Sequence, residues 1–137
     1  MPAEGGKATQ ITTKGGMLPR ESVDGKTIYY LKFNAHEIWS VPAQGGREVK
    51  VVGPIHGYPA GFAVTAKGIY YPAPPHSGEL RFIRFHSFAT GQSTPVATVN
   101  RPVDLGMSVS PDSKYLLFDQ IDESSSDLII VENFRSQ

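Results

Sequence analysis

Apolar residues occur along this chain in short bursts, each cut off within a few positions by Gly, Pro, Asn, Asp or Ser. The bursts are rich in Ile, Val, Tyr and Phe, the residues that suit a pleated, half-buried surface. None is drawn out into the three-and-four spacing of an amphipathic helix, so no α-helix is expected. In the first third of the chain the pattern predicts strands at 17–22, 27–32, 37–41 and 47–52. Turns fall at 23–26, at 34–36 and at Gly45-Gly46. Asp24 can bond its own backbone there, and Gly25 accepts a positive φ without steric cost. The alternation of Arg47-Glu48-Val49-Lys50-Val51 suits an outer strand with one face in water.

The same grammar then repeats. Ser22-Val23-Asp24-Gly25-Lys26-Thr27-Ile28-Tyr29-Tyr30 returns as Ser110-Pro111-Asp112-Ser113-Lys114-Tyr115-Leu116-Leu117-Phe118. A weaker copy lies between them at Val64-Thr65-Ala66-Lys67-Gly68-Ile69-Tyr70-Tyr71. Self-similarity at roughly 40–50 residues marks a repeat architecture, and propeller blades have such a period. The second unit, 53–99, predicts strands at 58–64, 68–71, 79–88 and 93–99. The third, 100–137, predicts strands at 104–110, 114–120 and 127–133 and lacks a fourth. Residues 5–14, with a strand at 7–12, read as a spare outer strand that matches this vacancy. The expected fold is therefore all-β: a β-propeller fragment of about three four-stranded antiparallel blades, the last without its outer strand, forming one domain over 1–137.

Composition narrows the function. Lys+Arg and Asp+Glu both number 13, giving a net charge of zero. That removes the broad positive field which steers proteins onto phosphate backbones, so nucleic-acid binding by this segment is not expected. Cysteine is absent, which excludes disulfides and thiolate chemistry. No apolar run reaches the roughly 18 residues of a membrane span, and the opening residues have no apolar signal core.

The Gly-Gly, Ser-x-Asp-Gly-Lys, apolar-pair and Glu37-Ile38-Trp39-x-Val41 series resembles the bacterial WD-like repeats of TolB-type β-propellers. Ser110-Pro111-Asp112-Ser113-Lys114 is close to that family's Ser-Pro-Asp-Gly-Lys turn, with Ser113 in place of Gly. The first copy replaces the Pro by Val23, and the middle one has Thr65-Ala66 where Asp-Gly would stand. The ending Leu128-Ile129-Ile130-Val131-Glu132-Asn133-Phe134-Arg135 resembles the last blade of propellers that end large bacterial regulators. The resemblance implies a closed ring of blades serving protein contact or sensing. Three blades do not close a ring. Either the chain is the tail of a longer propeller, or two copies form a homodimer completing a six-bladed ring, each lending its spare strand.

Gly106-Met107-Ser108-Val109-Ser110 imitates a nucleophile elbow, yet Ser110 replaces its last Gly and no helix follows. His36, His56, His76 and His86 are dispersed and read as solvated polar residues, without the ligand pairs of a zinc site. Asp122-Glu123-Ser124-Ser125-Ser126-Asp127 is oxygen-rich but lacks the ordered spacing of a calcium loop, and reads as a hairpin tip. Trp39 and the Tyr29-Tyr30 and Tyr70-Tyr71 pairs read as packing between blades. Neither a metal nor a cofactor is expected. In the ring that the resemblance implies, first strands line the channel and their leading loops rim one mouth. Arg20, His56, Tyr58, Arg101 and Asp104 fall there and are the candidate partner-binding residues. The expected function is non-catalytic binding of a protein or peptide. The alternative is an accessory propeller of a hydrolase, or a lyase or glycosidase with its active site in the channel. Such an enzyme needs convergent acid–base groups, and the first strands offer only Glu21 and Asp104, out of step with each other.

Overall fold

The computed structural model describes residues 4–32, 34–55, 61–74 and 81–120. Those residues are all-β, with ten strands in three antiparallel sheets, none of them closed. The first sheet is a meander of β1 (Met17–Glu21), β2 (Thr27–Lys32), β3 (Glu37–Pro42) and β4 (Val49–Val52). The second is β5 (Ala63–Val64), β6 (Gly68–Ala73), β7 (Arg81–Ser87) and β8 (Ser93–Val99), again in chain order. The third pairs β9 (Val103–Val109) with β10 (Leu116–Gln120). Its expected third strand at 127–133 lies outside the described residues, as does the beginning of the strand expected at 58–64.

The repeated turn explains why the hairpins recur. Ser22 Oγ donates to Asp24 Oδ1 (2.7 Å) and accepts from Thr27 N–H (2.9 Å), while Asp24 Oδ1 also takes Lys26 N–H (3.1 Å). Ser110, Asp112, Lys114 and Tyr115 reproduce each of these bonds at 2.6–3.2 Å. Gly25 has φ 70° and Ser113, its counterpart, φ 58°. Each side chain thus closes a loop of four residues and satisfies amides that the turn leaves unpaired. The middle copy is tighter: Thr65 N–H donates to Gly68 C=O (2.9 Å) and Thr65 Oγ1 serves the amides of Lys67 and Gly68.

The sheets stack through two apolar cores. Leu31, Ile38 and Val52 of the first sheet meet Phe62, Ile69, Tyr71 and Ala73 of the second. Ala63, Ile83 and Val99 of the second meet Val103 and Met107 of the third. The second sheet is therefore covered on both faces, which accounts for the near-continuous burial along β6. The first strands sit beside one another, β1 touching β5 and β5 touching β9. Gly61 N–H donates to Asp104 C=O (2.8 Å), joining the last two sheets at that edge.

Residues 5–12, expected to hold a spare strand, enter no β-ladder among the described residues. The partner region expected for that strand, at 127–133, lies outside the described residues, and the contacts that place the segment lie one step along the chain. Thr13 N–H and Oγ1–H both donate to Glu48 Oε1 (2.8 and 2.9 Å), and Gly16 lies against the Tyr30 ring. The segment is drawn across its own first sheet. The last strand of that sheet starts at Val49 rather than at 47, and Glu48, just before it, turns its carboxylate to this contact.

Candidate functional site

Two places gather chemistry. The first is the face of the first sheet turned away from the second. There Glu48 Oε2 accepts from Tyr30 Oη (2.6 Å) and Lys32 Nζ (3.0 Å), and Lys32 Nζ sits 3.8 Å above the centre of the Trp39 ring. Trp39 Nε1–H donates to Glu37 Oε2 (2.9 Å), whose other oxygen pairs with Lys50. The Tyr30 hydroxyl, ahead of the Thr13 and Lys32 donors, holds the Glu48 carboxyl down to about 2. Burial, with that carboxylate beside it, pushes the Tyr30 phenol well above its usual range. Each charge here already has a partner, so the cluster is cohesive and offers little to a ligand.

The second place is a cleft of about 460 Å³ where the first strands converge. Arg20 from β1 lines it together with Gly106, Met107 and Ser108 from β9 and Leu117, Phe118 and Asp119 from β10. A register shift between Met17 and Arg20, with Leu18 at φ 51°, bulges β1 just before the arginine and sets its direction. Pro19 has no N–H to lose at such an irregularity. The Arg20 guanidinium lies 6.0 Å from the centre of the Phe62 ring, and Nη1–H donates to its neighbour's carbonyl, Pro19 C=O, at 3.3 Å. On the opposite wall Asp119 Oδ1 accepts from Gly106 N–H (3.0 Å). A side chain at position 106 would collide with that carboxylate, so glycine there seats Asp119 against the backbone.

Leu117 is the informative residue of this wall. Its counterpart in the first repeat is Tyr29, which packs into the core between the first two sheets and stacks on Phe88 (5.4 Å, 14°). Leu117 is 72% exposed. The repeat places an apolar group where a following sheet would cover it, and the cleft opens at that place.

Of the described residues expected to bind a partner, Arg20, Arg101 and Asp104, only Arg20 lines this cleft. Asp104 gives its carbonyl to Gly61, and Arg101 gives its carbonyl to Gln120 Nε2 (3.3 Å). His56 and Tyr58 lie outside the described residues, as do His76 and the acidic run 122–127. Ser108, Leu117 and Asp119 were missed. Ser108 drew notice only through the elbow-like spacing and stands in mid-strand opposite Leu117. Leu117 reads as core from its apolar character alone. Among the described histidines, His36 is in the β2–β3 turn, while His86 is on β7 with Nδ1 3.0 Å from Ser93 Oγ. Burial lowers the His86 pKa below the usual imidazole value. No three His, Cys, Asp or Glu side chains among the described residues are grouped to hold a metal.

The aromatic pairs divide between the two cores and the far face. Tyr29 and Tyr71 belong to the first core, Tyr70 packs on the second and tilts against Phe85 (4.7 Å), and Tyr30 and Trp39 lie on the far face of the first sheet. Tyr29, Tyr70 and Tyr71 thus pack between sheets, whereas Tyr30 and Trp39 have their described contacts on the other face. They face the chain's own N-terminal segment and the Glu48 and Glu37 carboxylates.

Comparison of the chain with known protein families, with curated proteins and with solved structures returned no match. No helix among the described residues is long and apolar enough to cross a membrane.

Proposed function

We propose that this chain is a non-catalytic interaction module, a partial β-propeller whose converging first strands form a seat for a segment of another protein. The observation that carries the reading is the cleft at Arg20, with exposed Leu117 on its wall. A concave apolar surface with a few polar groups at its margin is the usual form of a binding site. Three further features favour a propeller: the sheets stack in sequence order, the first strands adjoin, and the same hairpin turn is built twice.

Panning a random-peptide display library on the immobilised chain, followed by titration of enriched peptides, tests the proposal. Leu117→Asp places a charge in the seat and should weaken those peptides about tenfold or more while leaving the melting temperature nearly unchanged, because the side chain is exposed. Peptides that bind the variant as tightly as the parent would move the site elsewhere.

A further inference from the structure

The cleft's polar groups are unequally committed, and this defines the chemistry of its occupant. The inference rests on the cleft being the binding seat. Arg20 has no carboxylate within ion-pair distance among the described residues; its contacts are a long bond to the adjacent carbonyl and the edge of cation–π range over Phe62. A guanidinium is a planar fork whose matching partner is a carboxylate held by two parallel bonds. The Ser108 hydroxyl, in the same cleft, makes no hydrogen bond to the described residues and can supply a further donor. Beside these donors lies the exposed side chain of Leu117, while Phe118 and Met107, next along the two strands, turn to the second core and back the cleft. Asp119 shares the β9–β10 wall with Ser108 and Leu117 and has one oxygen bonded to Gly106, so Arg20 is the group that draws a negative charge to the cleft.

We propose that the cleft docks a peptide segment in which an acidic side chain adjoins a large apolar one, the carboxylate seated on Arg20 and Ser108 and the apolar group on Leu117. A phosphate backbone fits poorly. It would bring several charges into a cleft that already holds Asp119, on a chain with no net positive charge. A lone carboxylate beside an apolar group meets one cation and one greasy wall without that repulsion.

The library selection described above tests this when it is read for sequence. Enriched peptides should share an Asp or Glu next to Leu, Ile, Phe or Met, and their binding should weaken as salt is raised. Arg20→Gln should weaken them about tenfold or more, since a hydrogen bond to a charged group contributes about 1.5–3 kcal/mol. Arg20→Lys should recover only part of this loss, because it restores charge without the fork. Arg20→Glu should redirect selection toward basic peptides. Melting temperatures of all three variants separate lost binding from lost folding. Peptides that fail on Leu117→Asp yet ignore Arg20→Gln would sink this assignment and leave the binding seat standing. Peptides indifferent to both variants, or no enrichment at all, would overturn the two together.

Discussion

The two copies of the serine–aspartate turn differ by one atom group that matters. Gly25 occupies a left-handed conformation at little steric cost, whereas Ser113 holds nearly the same φ with a Cβ attached. Gly25→Ala should therefore destabilise the fold by about 1 kcal/mol, and Ser113→Gly should stabilise it by several tenths of that. Urea unfolding of the two variants reads both signs in one series. Asp24 and Asp112 are held below the usual carboxylate range, first by their serine hydroxyls and then by the amides two residues on. Glu48 is the more consequential acid. Its folded pKa of about 2 lies below its ordinary value of 4.5, so the stability it contributes is complete above that ordinary value and is lost as pH falls through the folded one. Glu48→Gln should flatten the acid limb of the stability profile over that window. It should also speed amide exchange at Thr13, whose N–H loses its charged acceptor. An unchanged Thr13 exchange rate would show that the carboxylate does not hold the N-terminal segment.

Strands in this molecule are short, and their stability comes from what covers them. β5 has two residues, yet Ala63 at its start and Phe62 just before it are buried in different cores. Phe62→Ala should cost about 3–5 kcal/mol by opening a cavity between the first two sheets. It also removes the ring over which Arg20 lies. Gly61, one residue earlier, allows the backbone of β9 to approach, and a Cβ there would overlap the Leu105 carbonyl. Gly61→Ala should cost about 2–3 kcal/mol through the forced separation of the second and third sheets. Thermal melts of Phe62→Ala and Gly61→Ala test both, and loss of less than about 1 kcal/mol in either would contradict the packing described here. Strand positions were legible because side-chain period, turn residues and β-branched clusters are local signals. The pairing expected of the N-terminal strand falls at 127–133, outside the described residues. Among the described residues, the bonds that place this segment run from Thr13 to Glu48, far along the chain, where no local signal reaches.

Both apolar cores use the second sheet, so the three sheets should unfold as one cooperative unit. Ile38→Ala in the first core and Ile83→Ala in the second should each cost about 2–5 kcal/mol and shift the same single transition. Far-ultraviolet circular dichroism and the fluorescence of Trp39 should then melt together in both variants. Separate midpoints for the two probes would show that the sheets unfold independently.

The alternation of side chains, the turn chemistry and the internal repetition sufficed to assign an all-β chain in stacked meanders, because each is decided by neighbours a few residues apart. Arg20 was also in view from its place on a first strand. The company it keeps was not: β1, β9 and β10 meet only after three sheets have stacked, and that meeting depends on a two-residue β5 and a bare Gly61. Packing likewise separates Tyr29 from Leu117, equivalent positions of one repeat, by burying the first and leaving the second in water. A repeat can specify a side chain, but what covers it is set by the next sheet in space.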